Sequence, residues 1–495
     1  MELWGESLTF AAGFFLLLAL ALALSFEFVN GFHDTANAVA TVIYTHTLKP
    51  AYAVVWSGCF NLLGVLMSSG AVAYSIVALL PLELVVHSGS GASFAMIFAL
   101  LISAIIWNVG TWYLGLPASS SHTLIGAIMG VGVANSMMAG TGMMAGINWG
   151  KAQEIGLALL LSPLVGFFGA ALLFLVTKFL VRREDLFKAP EKDSVPPLWI
   201  RGLLMLSCTL VSFFHGSNDG QKGMGLIMLI LAGLVPGAFA LNMASDPAHL
   251  QATVTEIRQL VTEVTPLAQG TTISKDDALS ELTRYAKAGG KPTPETYAAI
   301  ALEGQNVGDA LANVPNVSSI PHDDRTTLRT EAYLVSESLN KIIKGKQIAD
   351  ATIADSIKKT KGDLDQLTKY IPDWVKVAVA LALGLGTMIG WKRIVVTVGE
   401  KIGKSHLTYA QGASAELMAA ATIGLADGLG LPVSTTHVLS SGIAGTMAAN
   451  KSGLQKDTLI SILLAWVLTL PVCIFLGATL FSAALYVTFH VFGIH

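Results

Sequence analysis

The 495-residue chain is 53% hydrophobic and only 13% charged, about half the charge content usual in soluble domains, which excludes an ordinary soluble protein. A net charge of −3 gives no electrostatic footprint for nucleic acid. Three cysteines, Cys59, Cys208 and Cys473, lie in apolar stretches without metal-ligand spacing and read as small core hydrophobes, not disulfides.

Residues 8–29 are apolar with Glu27 as their one charge, and 94–116 and 458–489 are comparable stretches. A helix needs about 20 apolar residues to cross a bilayer. The start, Met1-Glu2-Leu3, lacks the basic flank of a signal peptide, so the first apolar stretch is expected to remain as a membrane helix. Residues 178–201 form a basic loop, and 391–404 carry Lys392, Arg393, Lys401 and Lys404. The positive-inside rule places both in the cytoplasm. Residues 244–373 break the pattern with polar, charged sequence, including Lys358-Lys359-Thr360-Lys361. Helical periodicity is predicted there over 254–267, 327–343 and 349–367. This stretch reads as a soluble helical insertion acting as a structural or regulatory cap.

Outside the insertion the chain repeats. Asn30-Gly31-Phe32-His33-Asp34 matches His215-Gly216-Ser217-Asn218-Asp219. Pro117-Ala118-Ser119-Ser120-Ser121-His122 matches Pro432-Val433-Ser434-Thr435-Thr436-His437. Pro117 lies 83 residues after Asp34, and Pro432 lies 213 after Asp219. The difference, 213 − 83 = 130, is the length of the insertion. The predicted fold is all-α and polytopic, with two homologous repeats, about 10–12 spanning helices and re-entrant or broken helices at the motifs. Its segments are 1–197 (first repeat), 198–243 (start of the second), 244–373 (insertion) and 374–495 (remainder of the second). Duplicated halves are characteristic of secondary transporters.

Asp34 and Asp219 are ionisable groups in Gly- and Asn-rich interruptions beside apolar helix, which marks an ion or proton path. A carboxylate beside an amide such as Asn218 suits a hard cation. The proline-led segments predict helix N-termini, where free N–H groups bind anions. Ser119, Ser120 and Ser121, with Ser434, Thr435 and Thr436, are placed to replace water around a tetrahedral oxyanion. Asn37 and Gln221 are neutral candidates for the same anion, and Lys222 a cationic one. His33, His122, His215 and His437 are candidates for proton or metal contact. Glu27 and Glu416 rank lower. An intramembrane hydrolase is disfavoured: Ser121 and His122 are sequence neighbours, a poor nucleophile–base geometry, and no catalytic residue is assigned.

The segments Gly31–Ala38 and Gly216–Gly223, with the paired Gly-Leu-Pro-x-Ser-x-x-His stretches, resemble the inorganic phosphate transporter (PiT/Pho4) family, and within it the bacterial low-affinity Pit carriers. That resemblance implies an inverted repeat, a midplane phosphate site, cation-coupled symport and a homodimer embedded in lipid of the bacterial inner membrane. Many members carry Asn-Asp in the first motif and couple to sodium. His33-Asp34 here is similar instead to carriers associated with proton symport of a neutral metal–phosphate complex. The resemblance thus implies co-transport of a proton, with magnesium or another divalent metal, and no resident cofactor. A sodium-coupled carrier, or one for another tetrahedral oxyanion, is the alternative.

Overall fold

The computed structural model describes residues 2–4, 6–79, 91–140, 142, 146–190, 195–288 and 291–490. A short antiparallel pair, β1 (Glu2–Leu3) and β2 (Glu6–Ser7), opens the chain. The helices that follow are α1 (Phe10–Asp34), α2 (Ala36–Tyr44), α3 (Pro50–Met67), α4 (Ala71–Val77), α5 (Gly91–Tyr113), α6 (Ser120–Met138) and α7 (Trp149–Leu180). After them come α8 (Leu198–Leu234), α9 (Pro236–Phe239), α10 (Pro247–Val264), α11 (Lys275–Ala288), α12 (Pro294–Ala312), α13 (His322–Lys344) and α14 (Ala351–Thr368). The chain ends with α15 (Asp373–Met388), α16 (Lys392–Glu400), α17 (Tyr409–Gly428), α18 (Thr435–Ala449) and α19 (Lys456–His490). Among the described residues, six helices are long and apolar enough to cross a membrane. The other helices of the apolar unit are shorter or less apolar, and no barrel is present among the described residues.

The chain divides into two compact units. One comprises Met1–Leu16 and Met228–Ile371. It is built as a water-facing helical domain is built. Asp246, Thr293 and Asp350 cap α10, α12 and α14 with side-chain oxygens, supplying acceptors for N–H groups the first turn leaves free. Leu250, Val254, Ile257 and Leu260 line one stripe of α10 at helical spacing and meet Leu282, Tyr285, Ile300, Leu339 and Leu364 in a common core. Burial pushes the Tyr285 hydroxyl up to about 12 and raises the Glu303 carboxyl above its ordinary value.

The second unit comprises Leu17–Pro81, Ser90–Ile227 and Pro372–His495. Its outer surface is apolar: Phe168 (65% exposed), Phe179 (84%) and Val467 (69%) face outward, as lipid contact requires. Cys208 and Cys473 are buried, but Cys59 is exposed on α3, and all three are free. The core reading therefore fails for Cys59, because a lipid-facing position is as apolar as an interior one.

Glycines set the helix crossings of this unit. Across each crossing a Cβ would strike backbone. At Gly31 it would lie 2.3 Å from the Leu383 carbonyl oxygen, and at Gly386 2.1 Å from that of Phe28. Gly216 meets the Asn61 carbonyl at 2.1 Å and Gly64 that of Phe213 at 2.0 Å. So α1 packs on α15, and α8 on α3. The motif helices follow the same rule: Gly130 of α6 meets Ile474 of α19, and Gly445 of α18 meets Phe167 of α7, each at 2.1 Å. Every one of these contacts joins an element of the first repeat to one of the second. Small residues that let backbones approach are a main source of helix association in lipid.

Both first motifs lie on continuous helix. In the first, Thr35 is a single turn residue between α1 and α2 with helical backbone angles (φ −51°, ψ −38°), and Phe10–Tyr44 runs as one span. The second sits at the centre of α8, which runs unbroken from Leu198 to Leu234. Neither of these two motifs breaks its helix. Gly216, Gly220 and Gly223 serve close packing against Asn61, Val65 and Glu27 instead of a bend.

Candidate functional site

The centre of the apolar unit is polar and dry. Asp34, Asp219, Lys222, Asn37, Ser120, Thr435 and Thr436 are each at most 2% exposed. Two helix N-termini bring the hydroxyls there. Ser119 caps α6 by accepting from the His122 amide, and Ser434 caps α18 by accepting from the His437 amide. These caps fix the next residue of each segment, Ser120 or Thr435, at the mouth of its helix, where the backbone dipole favours an anion.

Each carboxylate is met by hydroxyls of the opposite repeat as well as by groups of its own. Asp34 accepts from Thr436 Oγ1 at 2.6 Å on Oδ1, and from Thr435 Oγ1 at 3.5 Å on Oδ2. Asn37 Nδ2 donates to Thr435 Oγ1 at 3.2 Å and to Thr436 Oγ1 at 3.0 Å. Asp219 Oδ2 takes Lys222 Nζ at 2.6 Å, and Lys222 Nζ also donates to Ser120 Oγ at 3.0 Å. Lys222 occupies in the second repeat the place of Asn37 in the first, three residues after the aspartate. Both reach the hydroxyl segment of the other half.

Ser120 Oγ lies 3.3 Å from Asp34 Oδ2 and 3.3 Å from Asp219 Oδ2. A hydroxyl has one proton to donate, so Ser120 serves one carboxylate at a time while accepting from Lys222. The second contact faces two acceptors with no hydrogen between them. His215 Nε2 stands 3.7 Å from Asp34 Oδ2 and 3.6 Å from Asp219 Oδ2. Asp34, His215 and Asp219 each offer a ligand atom within 4.8 Å of the others. Asp219 Oδ1 is buried and without a hydrogen-bond partner. Two anionic oxygens, one imidazole nitrogen and one unpaired carboxylate oxygen form a donor set for a small cation or a proton.

The remaining predicted residues are placed as follows. His33 sits between Asp34 Oδ1 and Thr111 Oγ1, at 3.1 Å from each, so it orients the first carboxylate. Asn218 donates to the Leu431 carbonyl and accepts from the Val433 amide; it ties α8 to the second hydroxyl segment. Gln221 accepts from the amides of Val72 and Ala73 and donates to Asp427. Its amide joins the start of α4 to Asp427. Ser121 donates to the Val433 carbonyl at 2.7 Å, linking the two hydroxyl segments to each other. His122 and His437 face one another with ring centres 4.7 Å apart, and His437 stacks on Trp466 at 3.9 Å. They line a separate, mainly apolar cavity of about 510 Å³. Glu27 is buried near Asn30, and Glu416 accepts from Ser207.

Three site residues lie outside the motifs. Asn61 Oδ1 accepts from His215 Nδ1 at 2.9 Å and Asn61 Nδ2 donates to Thr387 Oγ1 at 2.9 Å, and Thr111 holds His33. Asn61 had a readable signal, a lone amide in an apolar helix. Thr111 and Thr387 had none, since threonine satisfies itself on its own helix in any membrane span.

Comparison with known proteins agrees with this architecture. A model of the phosphate transporter family matches residues 30–477. The chain is 43% identical over 489 residues to the low-affinity inorganic phosphate transporter PitA of Escherichia coli (strain K12), covering 96% of this chain and 97% of that one. It is 29% identical over 463 residues to the probable low-affinity inorganic phosphate transporter of Bacillus subtilis (strain 168), covering 93% and 95%. A solved structure, the sodium-dependent phosphate transporter, superposes with a TM-score of 0.52 at 19% identity over 95% of this chain and 98% of that one. The last likeness is one of fold.

Proposed function

Because this chain belongs to the phosphate transporter family, we propose that it imports inorganic phosphate by proton-coupled symport, taking the anion as a neutral metal–phosphate complex. It is a multi-pass protein of the bacterial inner membrane and a transporter, not an enzyme. The observation that carries the proposal is the convergence of Asp34, Asp219 and Lys222 on Ser120 Oγ at the start of α6, with Thr435 and Thr436 at the start of α18 on Asp34. Donors suited to phosphate oxygens and a carboxylate pair suited to a cation share one buried space. In this reading Ser120, Thr435, Thr436, Asn37 and Lys222 bind the phosphate, and Asp34, Asp219 and His215 bind the accompanying cation.

The electrical balance supports a cation partner. A phosphate group carries about −1.5 to −2 charges near neutral pH. Moving one elementary charge against the membrane potential costs about 2.3 kcal/mol per 100 mV. A divalent metal, transported as part of the substrate, cancels that cost.

Purified protein in proteoliposomes tests the proposal. Phosphate uptake is expected to follow an imposed pH gradient, to rise with magnesium, to fall when a chelator removes it, and to be indifferent to replacing sodium by potassium. Uptake that needs a sodium gradient at equal pH and ignores magnesium would make this a sodium symporter. Preferential uptake of sulfate would change the substrate.

Ser120→Ala and Thr435→Ala are expected to weaken apparent phosphate affinity. A neutral hydrogen bond is worth about 0.5–1.5 kcal/mol net, which is roughly two- to tenfold in KM. Uptake assays with unchanged KM and rate in both variants would reduce these hydroxyls to internal partners of Asp34 and Asp219.

A further inference from the structure

We propose that a basic, aromatic-walled pocket between the end of α5 and α16 holds the phosphate headgroup of an anionic phospholipid of the cytoplasmic leaflet. The pocket encloses about 680 Å³, and Trp112, Tyr113, Gly390, Lys392, Arg393 and Lys401 are among its walls.

The pocket is a fixed structure. Trp112 Nε1 donates to the Gly390 carbonyl at 2.7 Å, Arg393 to the Tyr113 carbonyl at 2.9 Å and Thr397 Oγ1 to the Gly115 carbonyl at 2.8 Å. Gly115 and Gly390 turn the chain at φ +69° and +73°, the left-handed region that glycine enters without a Cβ penalty. Ile394, Val395 and Val398 bury one side of α16, which leaves Lys392 and Arg393 on the open side.

Its charge is one-sided. Lys392, Arg393 and Lys401 are exposed, and none is ion-paired among the described residues. The neighbouring acid, Glu400, is not among the pocket's walls. The Arg393 guanidinium lies 5.3 Å from the Trp112 ring centre and 4.8 Å from that of Tyr113, which holds its fork in place for an anion.

The rim decides between a lipid and a free ion. Tyr113 is 63% exposed, Leu114 69% and Ile389 56%, so an apolar edge adjoins the cations. A free anion gains nothing from that edge, whereas acyl chains beneath a headgroup do. Trp and Tyr mark the interfacial depth of a membrane, and excess Lys and Arg mark its cytoplasmic side. Basic pockets at that depth hold anionic headgroups.

The test uses the full-length protein in neutral detergent and reads its thermal stability. It is titrated separately with short-chain phosphatidylglycerol, short-chain phosphatidylcholine and inorganic phosphate. The variant is Lys392→Gln with Lys401→Gln, two side chains that make no internal hydrogen bond among the described residues. Phosphatidylglycerol is expected to raise the Tm of the wild type, with half-saturation weakened roughly fivefold for each cation removed. Phosphatidylcholine is expected to give a smaller shift that does not depend on these lysines. An equal response to both lipids, or an unchanged response in the variant, overturns the proposal. A Tm rise with inorganic phosphate alone that requires Lys392 and Lys401 would assign the pocket to the free anion and also overturn it.

Discussion

Asp34→Asn is expected to abolish phosphate accumulation while the protein still inserts and packs. The amide has the shape of the carboxylate, and its oxygen can still accept from Thr436 Oγ1, now 2.6 Å away. Its NH₂ group, however, replaces the oxygen that faces Thr435 and Ser120 at 3.5 and 3.3 Å. More important, the cation group of Asp34, His215 and Asp219 loses one of its two negative charges. A hydrogen bond to a charged group is worth about 1.5–3 kcal/mol, so coupled binding should weaken roughly 10- to 150-fold before any effect on the moving step. The measurement is radiolabelled phosphate uptake normalised to inserted protein. Accumulation at the wild-type rate would remove Asp34 from the cation site.

Asp219→Asn is expected to lose both uptake and stability, because Lys222 is buried with no exposure and Asp219 Oδ2 at 2.6 Å is its carboxylate partner. Breaking one member of a buried ion pair costs about 3–5 kcal/mol through the stranded charge. A loss of transport by Asp219→Asn alone is therefore ambiguous. The double variant Asp219→Asn with Lys222→Met separates the two effects. Replacing a buried pair by uncharged groups of similar volume is often neutral or stabilising, so Tm should recover. Uptake should not. If uptake returned together with Tm, the pair would be structural and its place in the binding chemistry lost.

The sequence shows that Asp34 and Asp219 are equivalent, and that Ser120 and Thr435 stand at helix starts, because both signals are local. A repeated motif and a proline-led cap need no tertiary information. What it does not show is which copy each group faces. Two repeats in the same order are compatible with each aspartate meeting its own hydroxyls or its partner's. Helix crossings such as Gly31 on Leu383 and Gly216 on Asn61 decide it, and these are contacts between distant segments. The same limit explains Gln221 and Asn218. Both amides sit within the motif, yet each is used by a backbone group that only the folded chain brings near, the start of α4 for one and the Leu431–Val433 turn for the other. The unbroken course of α8 is a related case. Glycines in a membrane helix are read equally well as a break or as a close contact, and the neighbour decides.

Asp34 owes its hydroxyl donors at positions 435 and 436 to the second repeat, and Asp219 owes Ser120 to the first. Neither repeat contains a finished site. A chain with the first copy alone would have kept Ser120 beside Asp34 but lacked the Thr435 and Thr436 hydroxyls that the second copy brings, and would have needed a second molecule to supply them. Joining two copies in one polypeptide turned that encounter into an intramolecular one, set by effective concentration and not by abundance. It also tied their later histories together. A change at a hydroxyl of one copy is therefore felt at the carboxylate of the other. The exchange that did occur, lysine at 222 where the first copy has Asn37, preserved the reach across to the opposite helix mouth.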